Sequence, residues 1–156
     1  MTTESPAYNG RVSDDVLALE NQVCFGLAVA ARSVIALYRP VLEPLSLTHP
    51  QYLVMLALWE QEPRSVKNLS DALALEPATL SPLLKRLEAT GYVERRRSAT
   101  DERALEVRLT DRGRVLRAEA ETIPPRIVER LGLPASQLAD LRESLLAIIA
   151  AAARTD

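Results

Sequence analysis

Apolar residues recur at intervals of three, four and seven along the first part of the chain, which is the spacing of one helix face. They are Val16, Val23, Cys24, Leu27, Ala31, Val34, Ile35 and Tyr38. Ser13 as an N-cap and Pro40 as a terminator predict a helix from about residue 13 to residue 38. So long a helix with a full apolar face, near one end of a small chain, is typical of a dimer interface.

The middle of the chain has the pattern of short capped helices. Thr48 and Gln51 form a capping-box sequence that opens a second helix. Ser65 caps a short third helix, and a fourth begins near residue 77 and ends at Gly91. Two short helices joined by a tight turn predict a helix-turn-helix.

The period then changes to two in "YVERRRS" and "ALEVRLT", which predicts a β-hairpin. A further helix begins at Thr110, the pair 124–125 of prolines interrupts it, and a last apolar helix follows from about 136 to 153. The predicted fold class is mainly α with a small β-hairpin wing. We expect three parts: an N-terminal dimerisation and sensor helix (1–45), a winged helix-turn-helix (46–118) and C-terminal dimerisation helices (119–156).

Composition and charge narrow the function. The 156 residues are 47% apolar and carry a net charge of −2, yet residues 79–117 hold ten basic and six acidic side chains. Nucleic acid is therefore expected at that segment. No apolar run of membrane-spanning length and no secretory leader pattern is present, so we expect a cytoplasmic protein with no membrane partner. Cys24 and His49 are the sole cysteine and histidine, too few for a zinc site, and no cofactor is expected.

The recognition helix and the hairpin supply the candidate DNA contacts. Near the helix N-terminus, Thr79 and Ser81 can reach base edges, whereas Lys85 and Arg86 are placed to meet phosphates. The basic residues of the hairpin are Arg95, Arg96, Arg97 and Arg103. A hairpin tip can place an arginine in the minor groove. The alternative is that this charge is only a solvated face.

Three segments, "ENQVCF", "LTHPQYLVMLALWE" and "LSPLLKRLEATGYVERRRSATDERALEVRLTDRG", resemble the MarR family of winged-helix repressors. Within it they are similar to the organic hydroperoxide resistance regulators. The resemblance implies an interleaved homodimer bound to a palindromic operator in double-stranded DNA. It also implies that Arg103 enters the minor groove and that Asp101 braces the wing.

The same resemblance implies a redox switch that is not an enzyme. An organic hydroperoxide would oxidise Cys24, the repressor would release its operator, and a gene for an organic hydroperoxide reductase would be derepressed. The family places a tyrosine at the position of Tyr38, where it hydrogen-bonds the reactive sulfur across the dimer. His49 departs from the pattern, because the best-known members have a second tyrosine there.

Chemistry alone leaves Cys24 open, since a lone cysteine on an apolar helix face is most often a small core residue. No Lys or Arg lies within one turn of it, and the expected helix start is far away, so activation of the thiol must come from elsewhere. Tyr38 follows fourteen residues later, about 21 Å along a helix. The two can meet only if two copies of the helix pack antiparallel.

The missing second cysteine restricts the oxidised states. A sulfenic acid on Cys24 must react with an external low-molecular-weight thiol or oxidise further. We hypothesise that the sulfenate is a weak trigger and that a mixed disulfide or over-oxidation disrupts the packing of the first helix.

Three alternatives remain at this stage. One is a MarR-type repressor released by a small aromatic ligand, with Cys24 incidental. A second is a one-cysteine thiol peroxidase, which would have no need of a recognition helix or an arginine-rich wing. The third is a winged-helix protein-interaction module, against which strong salt dependence of DNA binding would argue.

Overall fold

The computed structural model describes residues 14–155. Its α-helices are α1 (Val23–Leu42), α2 (His49–Glu60), α3 (Val66–Leu73), α4 (Pro77–Thr90), α5 (Asp111–Ala120), α6 (Ile123–Leu131) and α7 (Ala135–Ala152). Its strands are β1 (Arg64–Ser65), β2 (Val93–Arg97) and β3 (Leu105–Leu109). Single 3-10 turns lie at Leu19–Asn21, Glu43–Leu45 and Ala153–Thr155. The mainly helical fold with a small hairpin, predicted from the two periods, is confirmed.

The helices of the middle segment begin and end where their caps predict. The Thr48 amide donates to Gln51 Oε1 at 2.9 Å and the Gln51 amide to Thr48 Oγ1 at 3.5 Å, which completes the capping box. Ser65 caps α3 by accepting from the Asn68 amide at 3.0 Å. Gly91 ends α4 with a φ of 84°, a conformation that other residues rarely adopt.

The start of α1 differs from the prediction, which began the helix at Ser13, a residue outside the described part of the chain. The helix begins at Val23, after an extended Gln22. In the segment before it, Asn21 Nδ2 donates to the Asp15 carbonyl at 2.8 Å and Gln22 Nε2 to the Val16 carbonyl at 2.9 Å. These side-chain amides occupy carbonyls that a helix would use for its own ladder.

The end of α1 also differs, because the helix continues past Tyr38 and through Pro40 to Leu42. Proline removes one helical hydrogen bond and is expected to end the helix. Here Val41 and Leu42 are 2% and 1% exposed in the core. Their burial outweighs the lost hydrogen bond and holds the last turn in place.

The sheet has three strands in the order β1, β3, β2, and both pairings are antiparallel. Val93 pairs with Leu109 in the predicted hairpin, and Arg64 of β1 pairs with Val107 on the other side. A strand of two residues shows no alternation, so β1 could not be predicted. It makes β3 the central strand and ties the hairpin to the start of the helix-turn-helix.

The core lies between the helix-turn-helix and the last turn of α1, with α2 at its centre. Two of the side chains on β3, Val107 and Leu109, close it from the sheet side. The largest side chains with less than 2% exposure are Leu42, Met55, Leu58, Leu69, Leu80, Leu84, Leu87 and Ile123.

The two helices predicted to dimerise present apolar faces that the single chain leaves open. No residue of α7 is buried, and five of its large apolar side chains are 37–64% exposed: Leu141, Leu145, Leu146, Ile148 and Ile149. The segment Val23–Leu45 is long and apolar enough to span a bilayer by length and composition, and only 11% of its most apolar window is buried. A surface of this kind is typical of an interface.

Glu62, in the loop after α2, fixes the base of the wing. Its Oε2 accepts from the Leu109 amide at 2.7 Å and its Oε1 from Arg114 Nε at 2.7 Å. Burial raises the pKa of Glu62, but the hydrogen bonds from Arg114 and Leu109 and the charges of Arg114 and Arg108 together lower it below its ordinary value. The folded state therefore favours the ionised carboxylate.

We expect Glu62→Gln to lower the free energy of unfolding at pH 7 by about 1–2 kcal/mol, because two hydrogen bonds to a charged acceptor are weakened. A depressed pKa stabilises the fold above the unfolded value of about 4.3, and that stabilisation is lost as the pH falls through the folded value. The difference between wild type and variant should then shrink. Urea unfolding at pH 7 and at low pH measures it.

The matched control is Glu129→Gln, which removes the same charge from an exposed position on α6. A stability difference for Glu62→Gln that stays constant across this pH range would contradict the assignment.

Candidate functional site

Two of the predicted sensor residues meet where the C-terminal half of α1 packs on the first turn of α2. The rings of Tyr38 and His49 are 4.8 Å apart between centroids, at an interplanar angle of 63°. Tyr52, one turn further along α2, lies 5.9 Å from Tyr38. We call Tyr38, His49 and Tyr52 the aromatic cluster. Tyr52 was not among the predicted residues, although its spacing of three from His49 could have indicated it.

Burial keeps the aromatic cluster neutral near pH 7. It raises the pKa of Tyr38. It also raises the pKa of Tyr52, where the charge that Tyr38 would carry adds to the effect. Burial lowers the pKa of His49, which disfavours an imidazolium there. The cluster therefore offers phenolic O–H donors and a neutral imidazole, all suited to hydrogen-bonding an anion without carrying a charge of their own.

Cys24 is exposed and is the second residue of α1. The prediction that it lies far from a helix N-terminus is wrong, because the side-chain hydrogen bonds of Asn21 and Gln22 delay the start of the helix. The positive end of the helix dipole favours a thiolate at this position. Tyr38 lies fourteen residues along the same helix, about 21 Å away, so the chain does not bring the thiol to its own aromatic cluster.

The recognition helix α4 has one buried and one exposed face. Leu80, Leu83, Leu84 and Leu87 are buried. The four residues predicted to contact DNA on this helix are all exposed: Thr79, Ser81, Lys85 and Arg86. Thr79 and Ser81 lie in the first turn and a half, as base contacts would require.

The arginines of the wing are not equivalent. Arg95 Nη2 lies 2.7 Å from Glu88 Oε2 on α4, and the Arg95 amide donates to Glu88 Oε1 at 3.1 Å. These bonds raise the pKa of Arg95 against the opposing effect of its burial. Arg96 pairs with Glu94 at 3.0 Å. Within residues 14–155, Arg97 forms no ion pair and is exposed.

The wing turn is held by its own polar groups. Asp101 Oδ1 accepts from the Arg103 amide at 3.0 Å, which leaves the exposed Arg103 side chain at the tip. Ser98 donates to Glu106 Oε1 at 2.8 Å across the hairpin and accepts from the Thr100 amide at 3.2 Å. The tip is thus an ordered loop that presents one guanidinium.

A groove of about 860 Å³ runs between α1, the start of α2 and the end of α4. Arg32 and Arg39 line it from α1 and Arg86 from α4, while His49 connects it to the aromatic cluster. We call this the basic groove. Arg86 therefore lies where the recognition helix meets the sensor side of the molecule. Among residues 14–155, no group of three or more His, Cys, Asp or Glu side chains could hold a metal ion.

Known proteins resemble this chain over most of its length. A family model described as transcriptional regulator SarA/Rot matches residues 36–119. The organic hydroperoxide resistance transcriptional regulator of Bacillus subtilis strain 168 is 42% identical over 129 residues, which cover 83% of this chain and 86% of that protein.

Solved structures share the fold. Reduced AbfR bound to DNA has a TM-score of 0.69 and 34% identity, covering 84% of this chain and 91% of that one. Overoxidized AbfR bound to DNA has a TM-score of 0.68 and 34% identity, covering 83% and 92%. AbfR comes from Staphylococcus epidermidis. The apo form of MarR from Escherichia coli has a TM-score of 0.67 at 22% identity, covering 81% and 96%.

The unequal arginines give a prediction for DNA binding. Arg97→Gln should lower the slope of log binding constant against log salt by about 0.9, the loss of one phosphate contact. Arg95→Gln should leave that slope unchanged and lower affinity about three- to tenfold, because the freed wing loses its position against α4. Fluorescence anisotropy with DNA from upstream of its own gene, at several salt concentrations, separates the two. An equal fall in slope for both variants would mean that Arg95 contacts a phosphate.

Proposed function

This chain belongs to the SarA/Rot family of transcriptional regulators, with the MarR-type winged-helix fold, and we propose that it is a DNA-binding repressor that senses organic hydroperoxides through Cys24. Oxidation of that thiol releases the operator and derepresses a gene for an organic hydroperoxide reductase. The relatives with which it compares are transcriptional regulators. In this proposal Cys24 is consumed stoichiometrically, and the protein is not an enzyme.

One observation carries the proposal: the two halves of the sensor lie toward opposite ends of one helix. Cys24 is in the first turn of α1 and Tyr38 is in its last turns, about 21 Å apart. Antiparallel pairing of two α1 helices brings each Cys24 to the aromatic cluster of the partner subunit. The exposed apolar faces of α1 and α7 support such a homodimer, because a second copy would cover them.

The chemistry follows from this pairing. The Cys24 thiolate attacks the terminal oxygen of the hydroperoxide, an S–O bond forms, the O–O bond breaks, and the alkoxide takes a proton to leave as an alcohol. The thiol becomes a sulfenic acid. Tyr38 of the partner subunit donates a hydrogen bond to the thiolate. His49 is neutral and half-buried, so it orients Tyr38 through ring contact rather than by charge.

The release signal is a mixed disulfide with a low-molecular-weight thiol, since the chain has no second cysteine. The sulfenic acid condenses with that thiol, an S–S bond forms and water leaves. AbfR is described bound to DNA in its overoxidized form. That relative supports the mixed disulfide over further oxidation as the trigger, because a bulky adduct disturbs the α1 pairing more than added oxygens do.

On the DNA side, the dimer presents two recognition helices to a palindromic operator. Thr79 and Ser81 read base edges, Lys85 and Arg86 meet phosphates, and Arg103 enters the minor groove beside Asp101. Arg97 adds a phosphate contact, while Arg95 braces the wing through Glu88. Residues 1–45 and 119–156 form the dimer, and residues 46–118 bind DNA. The protein acts in the cytoplasm.

Cys24→Ser tests the mechanism directly. A gel shift on DNA from upstream of its own gene, with and without cumene hydroperoxide and a thiol, should show release by the wild type and persistent binding by the variant. The serine hydroxyl has almost the same size but no reactive thiolate, so folding and DNA affinity should be unchanged. Equal release of both proteins would contradict the proposal and favour a repressor that a small aromatic ligand releases, with Cys24 incidental.

Mixed dimers test whether the sensor is shared between subunits. In a Tyr38→Phe homodimer every Cys24 faces a phenylalanine, and we expect its oxidation to slow about tenfold, by the loss of one hydrogen bond to a charged group. In a heterodimer with Cys24→Ser, the one remaining Cys24 faces the intact Tyr38 of the other chain. Stopped-flow oxidation of that heterodimer should recover the wild-type rate per thiol. A rate that stays slow would mean that Tyr38 does not act across the interface.

A thiol peroxidase is the alternative from another class of protein. It would consume several equivalents of hydroperoxide per Cys24 when a reductant is present. The proposed sensor instead stops after about one equivalent, because its mixed disulfide is not reduced by the same small thiol at a catalytic rate. Counting the hydroperoxide consumed per subunit distinguishes the two functions.

A further inference from the structure

The basic groove carries more positive charge than a solvated surface requires. It is lined by Arg32, Arg39 and Arg86, with Glu43 as its one acidic side chain. Among residues 14–155, none of the three guanidinium groups forms an ion pair. Most other arginines of the described chain pair with carboxylates, for example Arg95 with Glu88. The groove therefore holds three unneutralised cations on two helices.

The position of the groove relates it to the sensor. His49 lines the groove and also contacts Tyr38 in the aromatic cluster. In the antiparallel α1 pair of the proposed dimer, setting Cys24 opposite Tyr38 also sets Val23 opposite Arg39. The Arg39 guanidinium is then level with the turn that carries Cys24 of the partner subunit. An anionic ligand in the groove would lie beside the oxidised sulfur.

We propose that the basic groove binds the low-molecular-weight thiol that reacts with oxidised Cys24, and that this thiol is of the acidic class, carrying two or more carboxylates. The proposal rests on the proposed function and adds the chemical identity of the second reactant. Arginine binds carboxylates through paired N–H donors. Arg32 and Arg39 are separated by about 10 Å along α1, so they can hold two carboxylates of one extended peptide-like thiol.

The reaction in the groove balances without a further reagent. The bound thiol, as its thiolate, attacks the sulfenic sulfur of Cys24, the S–S bond forms, and hydroxide leaves with the proton released by the thiol as water. The product keeps its carboxylates on Arg32 and Arg39. Because Arg86 belongs to α4, a carboxylate that also reaches this residue connects the adduct to the recognition helix.

Capping kinetics test the proposal in the full-length protein. Reduced protein is first oxidised with one equivalent of cumene hydroperoxide, and the sulfenic acid is confirmed by dimedone labelling and mass. Glutathione, an anionic probe, and 2-mercaptoethanol, a neutral one, are then mixed in separately, and the mixed disulfide is followed by intact mass. The ratio of variant to wild-type rate for one thiol cancels the intrinsic reactivity of that thiol.

We expect Arg39→Gln to slow capping by glutathione about three- to fivefold, with a larger loss in the Arg32→Gln/Arg39→Gln double variant. Capping by 2-mercaptoethanol should change less than about twofold, and high salt should reduce the wild-type preference for glutathione. Arg126→Gln, which removes an exposed arginine of α6 outside the groove, should leave both rates unchanged. Circular dichroism and sedimentation confirm that each variant folds and dimerises.

The outcomes separate the two proposals. If sulfenic acid forms normally but Arg39→Gln slows both thiols equally or neither, the groove does not select an acidic thiol, and the proposed sensor function stands. If the wild type forms no sulfenic acid with the hydroperoxide, the sensor function fails, and this inference fails with it.

Discussion

The fixed rise of an α-helix is the constraint on which the sensor depends. At 1.5 Å per residue, Cys24 and Tyr38 stay about 21 Å apart in one chain, whatever the rest of the fold does. Their separation turns the thiol and its hydrogen-bond donors into two half-sites, each complete only in a dimer. The same helix ends in the buried Leu42, so its C-terminal end is anchored in the winged domain while its N-terminal end lies exposed.

The winged domain uses part of its charge for its own geometry. Glu88 binds Arg95 through both side chain and amide, which links the recognition helix to strand β2. Glu62 joins the loop after α2 to β3 and to α5 through Arg114. These contacts make the helix-turn-helix and the wing one rigid unit. A change in the spacing of two such units, rather than a change within either, is then the simplest way for the dimer to lose a palindromic operator.

Local signals explain how much of the fold could be predicted. The capping box at Thr48 and the glycine at Gly91 act within a few residues, and the alternation of β2 and β3 is written in the chain, so these elements were predicted with nearly correct bounds. The start of α1 was wrong because Gln22 makes side-chain hydrogen bonds that apolar periodicity does not reveal.

The candidate site was predictable only in part, for a different physical reason. Cys24, Tyr38 and His49 could be named from the sequence, and the structure joins the latter two. Tyr52 and the basic groove depend on how α1, α2 and α4 pack, which no single segment specifies.

The placement of both half-sites on one helix has a consequence for signal response. Each α1 supplies a thiol to one sensor and a phenol to the other, so two copies of the site share a single pair of helices. An adduct at one end displaces the helix that also positions the partner thiol at the other end. The dimer would therefore not count oxidants independently: the first hit alters the second sensor, and the transcriptional output gains a threshold rather than a graded dose dependence.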